Sequence, residues 1–330
     1  MSGIFIDNSS VNPYFNLALE EYFLKRTDFV DDILILWQNE PTVVIGRHQN
    51  TCDEIDEAYV QEMGVHVVRR NSGGGAVYHD MGNLNFSIIQ QMTGDYSFFR
   101  FVQPVIDCLK AYGIHAEHSS RNDITIDGRK FSGNAQYICN GKILHHGTVL
   151  FSSDLDVLAK ALKPRPDKTH HKGVASVRNR VVNLNDYLTN TTLSDFRQRL
   201  IDAIFIENKP DTYIISELDH KAISGIMQTK YLTFKWNYGQ SPTGRKAQIK
   251  TEAGIVELWL ECDSGIVKRA RITGDFFTLR PVDDLERHLV GARLIDLVPT
   301  VEKLECGSYI QGFANEDMKN LLMQSSCITR

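Results

Sequence analysis

Apolar residues recur at helical spacing directly after Asn12-Pro13, at Phe15, Ala18, Leu19, Tyr22 and Phe23. The asparagine supplies a cap and the proline suits the first helical position, so the pattern predicts a helix. Asn16 and Glu20 lie one turn apart, off that apolar stripe, and read as a solvated pair. Ile33 to Trp37 and Thr42 to Ile45 are short apolar runs joined through Asn39-Glu40-Pro41, which predict two strands. The second strand ends in the polar run Gly46-Arg47-His48-Gln49-Asn50. Ile55, Tyr59 and Met63 mark a helix stopped by Gly64, and Val65 to Val68, interrupted by His66, predicts a strand. Leu84, Phe86 and Ile88 alternate with polar residues as a half-buried strand does. Tyr96 to Tyr112 reads as a helix with a kink or break at Pro104.

Asp127-Gly128 and Asn140-Gly141 are dipeptides that two-residue primed turns prefer, so Ile124 to Phe151 is expected to form a three-stranded meander. Asn122-Asp123 opens it, Lys130 lies on the middle strand beside Ser132-Gly133, and His145-His146-Gly147-Thr148 lies on the third. A simple turn at Asn140-Gly141 pairs Ala135 with His146 and puts Lys130 and His146 on opposite faces. A bulge at Gly133 would flip the alternation and reunite them. Both registers are open at this point. Leu193 to Phe205 is a further amphipathic helix. Within Trp236 to Lys250, the run Y-G-Q-S-P-T-G-R-K has linker composition and places a domain boundary there. The expected units are 1–245 and a small α/β unit, 246–330. The latter has strands at Ile255 to Glu261 and Ile266 to Thr273, and helices near Asp283 to Val290, Val301 to Cys306 and Glu316 to Met323.

At 330 residues and 42% hydrophobic, the chain exceeds the usual single-domain size and can build a core. Its formal net charge of −5 argues against a duplex-DNA binder. The six cysteines are scattered without C-x-x-C spacing, which suits a reducing cytoplasm and disfavours structural zinc. No apolar run approaches the ~18 residues of a membrane span, and the N-terminus lacks a signal-peptide pattern. A soluble cytoplasmic protein is expected.

The stretch from Arg69 to Asp80 reads R-R-N-S-G-G-G-A-V-Y-H-D. Consecutive glycines let bare peptide N–H groups hold an anion, and Arg69 and Arg70 would supply countercharge. A plain turn between two strands is the alternative. Tyr78 stands where a dinucleotide fingerprint needs its third glycine, and no G-x-x-x-x-G-K-[ST] occurs. Lys163 to Arg180 is basic and poorly periodic, either a solvated surface segment or a cover for an anionic ligand. His145-His146 and His170-His171 lack metal-ligand spacing.

Taken together, the chain resembles the lipoate-protein ligase A family over nearly its whole length. The resemblance rests on N-P-Y-F-N-L-A-L-E-E from Asn12, P-T-V-V-I-G-R-H-Q-N from Pro41 and R-R-N-S-G-G-G-A-V-Y-H-D-x-G-N-L-N from Arg69. It continues in R-N-D-I from Arg121, G-R-K-F-S-G-N-A-Q from Gly128, H-H-G-T from His145 and K-G-V-A-S-V-R-N-R-V-x-N-L from Lys172. It implies an α+β fold: a large catalytic domain of mixed β-sheets flanked by helices, like that of biotin ligases, plus a small C-terminal accessory domain. It also implies ATP- and Mg²⁺-dependent conversion of (R)-lipoate, with octanoate as a possible substitute, to lipoyl-AMP. The acyl group then passes to a lysine of a lipoyl domain of a 2-oxoacid dehydrogenase E2 subunit or of glycine-cleavage H protein. A monomer is expected.

By the same motif match, Lys130 is the catalytic residue, holding the lipoate carboxylate and the α-phosphate. Arg70, Gly75, Ala76, Val77, Tyr78, Asn83, Asn122, Asp123, Lys172, Val177 and Arg180 join it around ATP and the adenylate, with Asp123 as the Mg²⁺ holder. Glu20, Arg70, Ser72, Gly74, His79, Gly133 and His146 are implied, with Lys130, for lipoate. Lys172 to Arg180 would cover the adenylate. A cysteine-dependent octanoyl or lipoyl transferase of the same fold is one rival. It needs a reactive thiol, and Cys139, the only cysteine in the meander, reads as structural. A non-catalytic lipoate-binding sensor is the other rival; Lys130, Arg70 and Asp123 are more charge than such a role needs.

Overall fold

The computed structural model describes residues 3–29, 31–92, 97–119, 122–163, 178–188, 190–206, 209–239, 242 and 244–325. The chain divides into two compact units. The first comprises Met1–Val44, Glu54–Arg69 and Ala76–Asn237, and the second Ile45–Asp53, Arg70–Gly75 and Tyr238–Arg330.

In chain order the elements are β1 (Gly3–Asp7), α1 (Pro13–Lys25), β2 (Asp32–Trp37), β3 (Thr42–Ile45), α2 (Thr51–Glu54), α3 (Glu57–Glu62), β4 (His66–Arg69), β5 (Val77–His79) and β6 (Asn83–Gln91). There follow α4 (Phe98–Lys110), β7 (Glu117–His118), β8 (Asp123–Ile126), β9 (Arg129–Cys139), β10 (Lys142–Leu150) and α5 (Leu155–Ala161). After the helix Leu193–Ile204 come β11 (Asp211–Tyr213), the helix Glu217–Ile226, then β12 (Arg245–Thr251), β13 (Gly254–Asp263) and β14 (Ile266–Gly274).

The first unit is built on an eight-stranded sheet in the order β11-β1-β2-β6-β10-β9-β8-β7. β1 runs parallel to β2 and β11, whereas the pairings from β2 to β8 are antiparallel. One face buries Leu34, Leu36, Phe86, Ile88, Phe131 and Val149 against Phe101, Val105 and Leu109 of α4 and against Phe196 and Leu200. The other buries Ile33, Ile35, Ile89 and Leu144 against Leu17, Ala18, Phe23 and Leu24 of α1. α4 continues through Pro104 instead of breaking there; the packing of its apolar stripe outweighs the backbone hydrogen bond that proline forfeits.

α1 is capped as expected, with the Asn12 side chain accepting from the Tyr14 and Phe15 N–H groups. Its polar residues are not the solvated pair that helical spacing suggests: Asn16 and Glu20 are both buried, at 1% and 2% exposure, Glu20 facing inward as the family resemblance implies. The Asn16 amide donates to the Gln38 carbonyl and to Asn39 Oδ1 and accepts from Asn8, so its burial is hydrogen-bonded. Glu21 accepts from Lys230 Nζ at 2.6 Å, Tyr231 OH at 2.7 Å and Lys25 Nζ at 2.5 Å. Burial works against its charge, but the Lys230 field and these three donors hold its carboxyl down at about 2.

In the second unit β12-β13-β14 form a three-stranded sheet, and Val256, Leu258, Ile272 and Phe276 pack against Leu285, Leu289, Met318 and Leu322. The run that reads as a linker ends in a strand, β12. Its lysines, arginine and glutamine obscure an alternation in which Ala247 and Ile249 turn inward. The helix expected at Val301 to Cys306 instead spans Leu297–Glu302, followed by a single tight turn at Cys306–Ser308.

The glycine loop, Arg70–Gly75, belongs to this second unit. There the Gly74 N–H donates to the Phe276 carbonyl at 3.2 Å, the Arg47 N–H to the Ser72 carbonyl at 2.8 Å, and the Gly274 N–H to the His48 carbonyl at 3.0 Å. The His48 ring stacks on Phe276 with centroids 5.0 Å apart. A Cβ at Gly73 would come within 2.1 Å of the Phe276 carbonyl oxygen, so only glycine permits this approach.

Glu21 gives a pH-dependent test. Because its folded pKa lies below the ordinary 4.5, its contribution to stability is present above about pH 4.5 and is lost as the pH falls towards 2. Glu21→Gln is expected to lower unfolding free energy at pH 7 by about 1–3 kcal/mol, and denaturant unfolding at falling pH should show the gap to wild type closing.

Candidate functional site

Both hairpin turns form as the sequence implies, with positive φ at Asp127, Gly128, Asn140 and Gly141. Ala135 pairs with His146, the register that alone would separate Lys130 from His146. The separation is undone on the other edge of β9. There Asp123 pairs with Gly133 and Ile124 with Ser132, but Thr125 pairs with Lys130, so Phe131 is skipped. The bulge lies at Phe131 rather than at Gly133. Phe131 is fully buried in the core with Ile124 and Ile126, and Lys130 is thereby turned to the face that carries Gly133, Ala135 and His146.

On that face the Lys130 side chain lies across Gly133, where an added Cβ would sit 2.7 Å from Nζ. Nζ pairs with Asp123 Oδ1 at 2.7 Å, and each side chain is about one-third exposed. The Lys130 carbonyl accepts from the Val182 N–H at 2.9 Å, and Val181 forms a parallel bridge with Lys130. Asn122 braces the same edge, its amide donating to the Asn134 carbonyl at 2.8 Å and its own carbonyl accepting from the Asn134 N–H at 2.9 Å.

One row along the face, His146 Nδ1 lies 2.9 Å from Glu20 Oε1. Ser87 donates to the same oxygen at 2.5 Å and accepts from Trp37 Nε1 at 2.8 Å. The indole can only donate, which fixes the direction of the chain: Trp37 to Ser87 to the Glu20 carboxylate. His145 takes the opposite face, wholly buried, its ring 4.8 Å from that of Phe101. Burial, then the neighbouring His146 and His118, hold its pKa well below the usual value, so it is neutral. Adjacent histidines thus divide between core and site.

Val77, Tyr78 and His79 form β5 beside β3, with Ala76 preceding them. Burial and then Asp80 push the Tyr78 phenol well up. His79 Nδ1 lies 3.1 Å from the Asn39 amide. Asn83, fully buried at the start of β6, donates to Asn85 Oδ1 at 2.9 Å. In the second unit, Arg70 Nε donates to Ser72 Oγ at 3.0 Å, and Nη2 donates to the Gly73 and Gly75 carbonyls at 2.6 and 2.9 Å. The arginine therefore braces its own loop, with Gly74 at φ +87° beside its guanidinium.

The first unit brings together Lys130, Asp123 and Gly133, and separately Glu20 with His146; it also carries Ala76 to His79, Asn83, Asn122 and Arg180, the last exposed. The second gathers Arg70, Ser72, Gly74 and Gly75. Lys172 and Val177 lie outside the described residues, as do His170 and His171. Sequence reasoning missed Trp37, Asn85, Ser87 and Thr148. The first pairs with the second across β2 and β6, and Asn85 pairs with Thr148 across β6 and β10. The signal was the alternation in Asn83-Leu84-Asn85-Phe86-Ser87-Ile88, whose polar residues share the His146 face.

The α+β fold carries an ion-paired lysine over a glycine on its mixed sheet, and the comparisons with known proteins define the class. Residues 12–205 match the lipoyl protein ligase A/B catalytic domain and 244–322 the bacterial lipoate protein ligase C-terminus. The chain belongs to the lipoate-protein ligase family and is an enzyme. It is 41% identical to lipoate-protein ligase LplJ of Bacillus subtilis (strain 168), over 97% of this chain and 99% of that one. To lipoate–protein ligase 1 of Staphylococcus aureus (strain Mu50) it is 38% identical, over 87% and 89%. Among solved structures, P. falciparum LipL1 in complex with lipoate is similar, with a TM-score of 0.76 and 25% identity over 100% and 99% of the two chains. A lipoate-protein ligase A bound with ATP gives a TM-score of 0.63 and 28% identity, covering 73% of this chain and 100% of that one.

Gly133→Ala tests the lysine's seat. The new methyl meets only the end of a flexible side chain, so unfolding free energy should move by no more than ~0.5 kcal/mol. Displacing Nζ should nevertheless weaken lipoate binding about tenfold, read by calorimetry.

Proposed function

We propose that the protein is an ATP-dependent lipoate-protein ligase whose catalytic domain is 1–245 and whose accessory domain is 246–330. The observation that carries this is the turn of Lys130 onto the Gly133–His146 face, beside Asp123 and one row from Glu20. In the first step a lipoate carboxylate oxygen attacks the α-phosphorus of ATP, and pyrophosphate leaves. In the second, a lysine amine attacks the acyl carbon of lipoyl-AMP, and AMP and a proton leave. The carboxylate must become a mixed anhydride because oxide is too poor a leaving group. Two anions must then meet, and a fixed ammonium offering three donors lowers that barrier.

Lys130 Nζ exchanges its Asp123 partner for the lipoate carboxylate and α-phosphate. Glu20 holds His146 by Nδ1 beside the acyl group, with Gly133 leaving room for the lysine stem and Ser72, Gly74 and His79 completing the lipoate set. Arg70, Gly75, Ala76, Val77, Tyr78, Asn83, Asn122, Lys172, Val177 and Arg180 contact the nucleotide. Magnesium typically uses one or two carboxylates and completes its shell with phosphates and water. The single Asp123 carboxylate, already on this face, fits that requirement; the ion would supply charge neutralisation at the phosphates. No group of three or more potential ligands occurs among the described residues.

The acceptors are lipoyl domains of 2-oxoacid dehydrogenase E2 subunits and the glycine-cleavage H protein. In support, a similar structure is a bipartite lipoate protein ligase with its E2 lipoyl domain from Thermoplasma acidophilum, at 29% identity and TM-score 0.65. Octanoate is a possible alternative acyl substrate, and the working state is a cytoplasmic monomer; no helix among the described residues is long and apolar enough to cross a membrane. The thioester rival is disfavoured because Cys139 lies at the far end of β9, paired with Lys142.

Lipoate-dependent exchange of labelled pyrophosphate into ATP tests the reading, with biotin as the negative control. Lys130→Ala should keep its fold and lose about 100-fold or more of that exchange. Undiminished exchange in the variant would sink the assignment.

A further inference from the structure

The polar side chains of β6 on the Lys130 face do not all have partners. Ser87 is satisfied on both sides by Trp37 and Glu20. Asn83 and Asn85, at 0% and 1% exposure, give each other one hydrogen bond, Asn83 Nδ2 to Asn85 Oδ1. Asn83 Oδ1 and Asn85 Nδ2 are left sealed from solvent without a partner. Turning both amides over exchanges the roles but not the result: one donor and one acceptor remain, side by side. Each such group costs about 1–3 kcal/mol when buried unpaired, which a native protein rarely tolerates without a use.

The position of Asn85 suggests the use. It pairs with Trp37 on one side and Thr148 on the other. Thr148 Oγ1 in turn accepts from the Gly133 N–H at 3.2 Å, and Gly133 is the residue over which Lys130 lies. Asn85 thus stands in the crosswise row that ends at Gly133 and Lys130, and Asn83 stands one row along, opposite Leu150. Lipoate offers this pair only acceptor oxygens. An acyl-adenylate, like the ATP from which it forms, offers acceptor oxygens on its phosphoryl group and donor hydroxyls on its ribose, so a ligand that carries the nucleotide answers both orphaned groups where the free acid does not.

We propose that Asn85, together with Asn83, is a binding element selective for the acyl-adenylate over the free acid, retaining the intermediate between the two half-reactions. The proposal rests on the ligase reading above and extends it to a residue without an assigned role. Because neither atom touches solvent, the ligand reaches them only when the side chains above the row part.

The test uses a lipoyl-sulfamoyl adenosine, an unreactive acyl-adenylate mimic, and free lipoate, titrated calorimetrically into the full chain and into Asn85→Leu and Asn83→Leu/Asn85→Leu. Both variants should lose about tenfold or more in affinity for the mimic, the scale of a lost buried hydrogen bond, and should lose several-fold less for lipoate. The double variant replaces two half-paired amides by apolar groups of similar shape, so its unfolding midpoint should not fall. Equal losses for both ligands, an unchanged affinity for the mimic, or a destabilised double variant would each overturn the proposal. The last result would mean that the amides serve the sheet. Wild-type protein that fails to bind the mimic would overturn the ligase reading, and this inference with it.

Discussion

The site depends on one skipped residue. β9 is held in register with β10 by the Asn140-Gly141 turn, and strict alternation from there would point Lys130 into the core that contains Phe86 and Val149. Passing over Phe131 on the β8 edge lets the phenylalanine stay in that core while the lysine beside it faces the other way. Burying a phenylalanine is worth about 1.5–3 kcal/mol, and an ammonium left unpaired in an apolar interior would cost more than that. Both preferences are met by the same local irregularity; the ladder resumes at Ser132, and Gly133 leaves space for the lysine stem to cross it.

α1 supplies the complementary wall. Nearly every side of this helix is buried, so its polar residues are interior groups with assigned partners: Asn16 in an asparagine chain, Glu20 on His146 and Ser87, and Glu21 on Lys230 and Tyr231. The first unit therefore packs its helix largely through satisfied polar contacts on one flank and aliphatic contacts on the other. In the second unit Arg70 folds back onto the carbonyls of its own glycine loop, so the guanidinium contributes to loop shape as well as to charge.

Much of this was legible in the chain. The caps, the two primed turns and the alternating strands follow from local chemistry, and ordered motif blocks singled out Lys130, Asp123 and His146, which the fold brings to one face of the sheet. The bulge could be named as a possibility but misplaced by two residues, because a register shift is decided by which side chain the core accepts, a non-local matter. Glu20 and Asn16 read as solvated because helical spacing reports an apolar stripe and is blind to a polar residue with a buried partner. β12 was hidden by long charged side chains on an exposed edge. Ser87 and Asn85 were visible as alternation, yet nothing local distinguished a site-facing serine from a surface one.

The backbone of Lys130 has one more attachment: its carbonyl takes the Val182 N–H, and Val181 bridges alongside. The chain that emerges from the basic segment is thus stitched to the lysine's own peptide unit at a fixed point. Lys130 is therefore anchored through its main chain as well as its side chain, and residues 181 and 182 help to fix its position through backbone contacts alone.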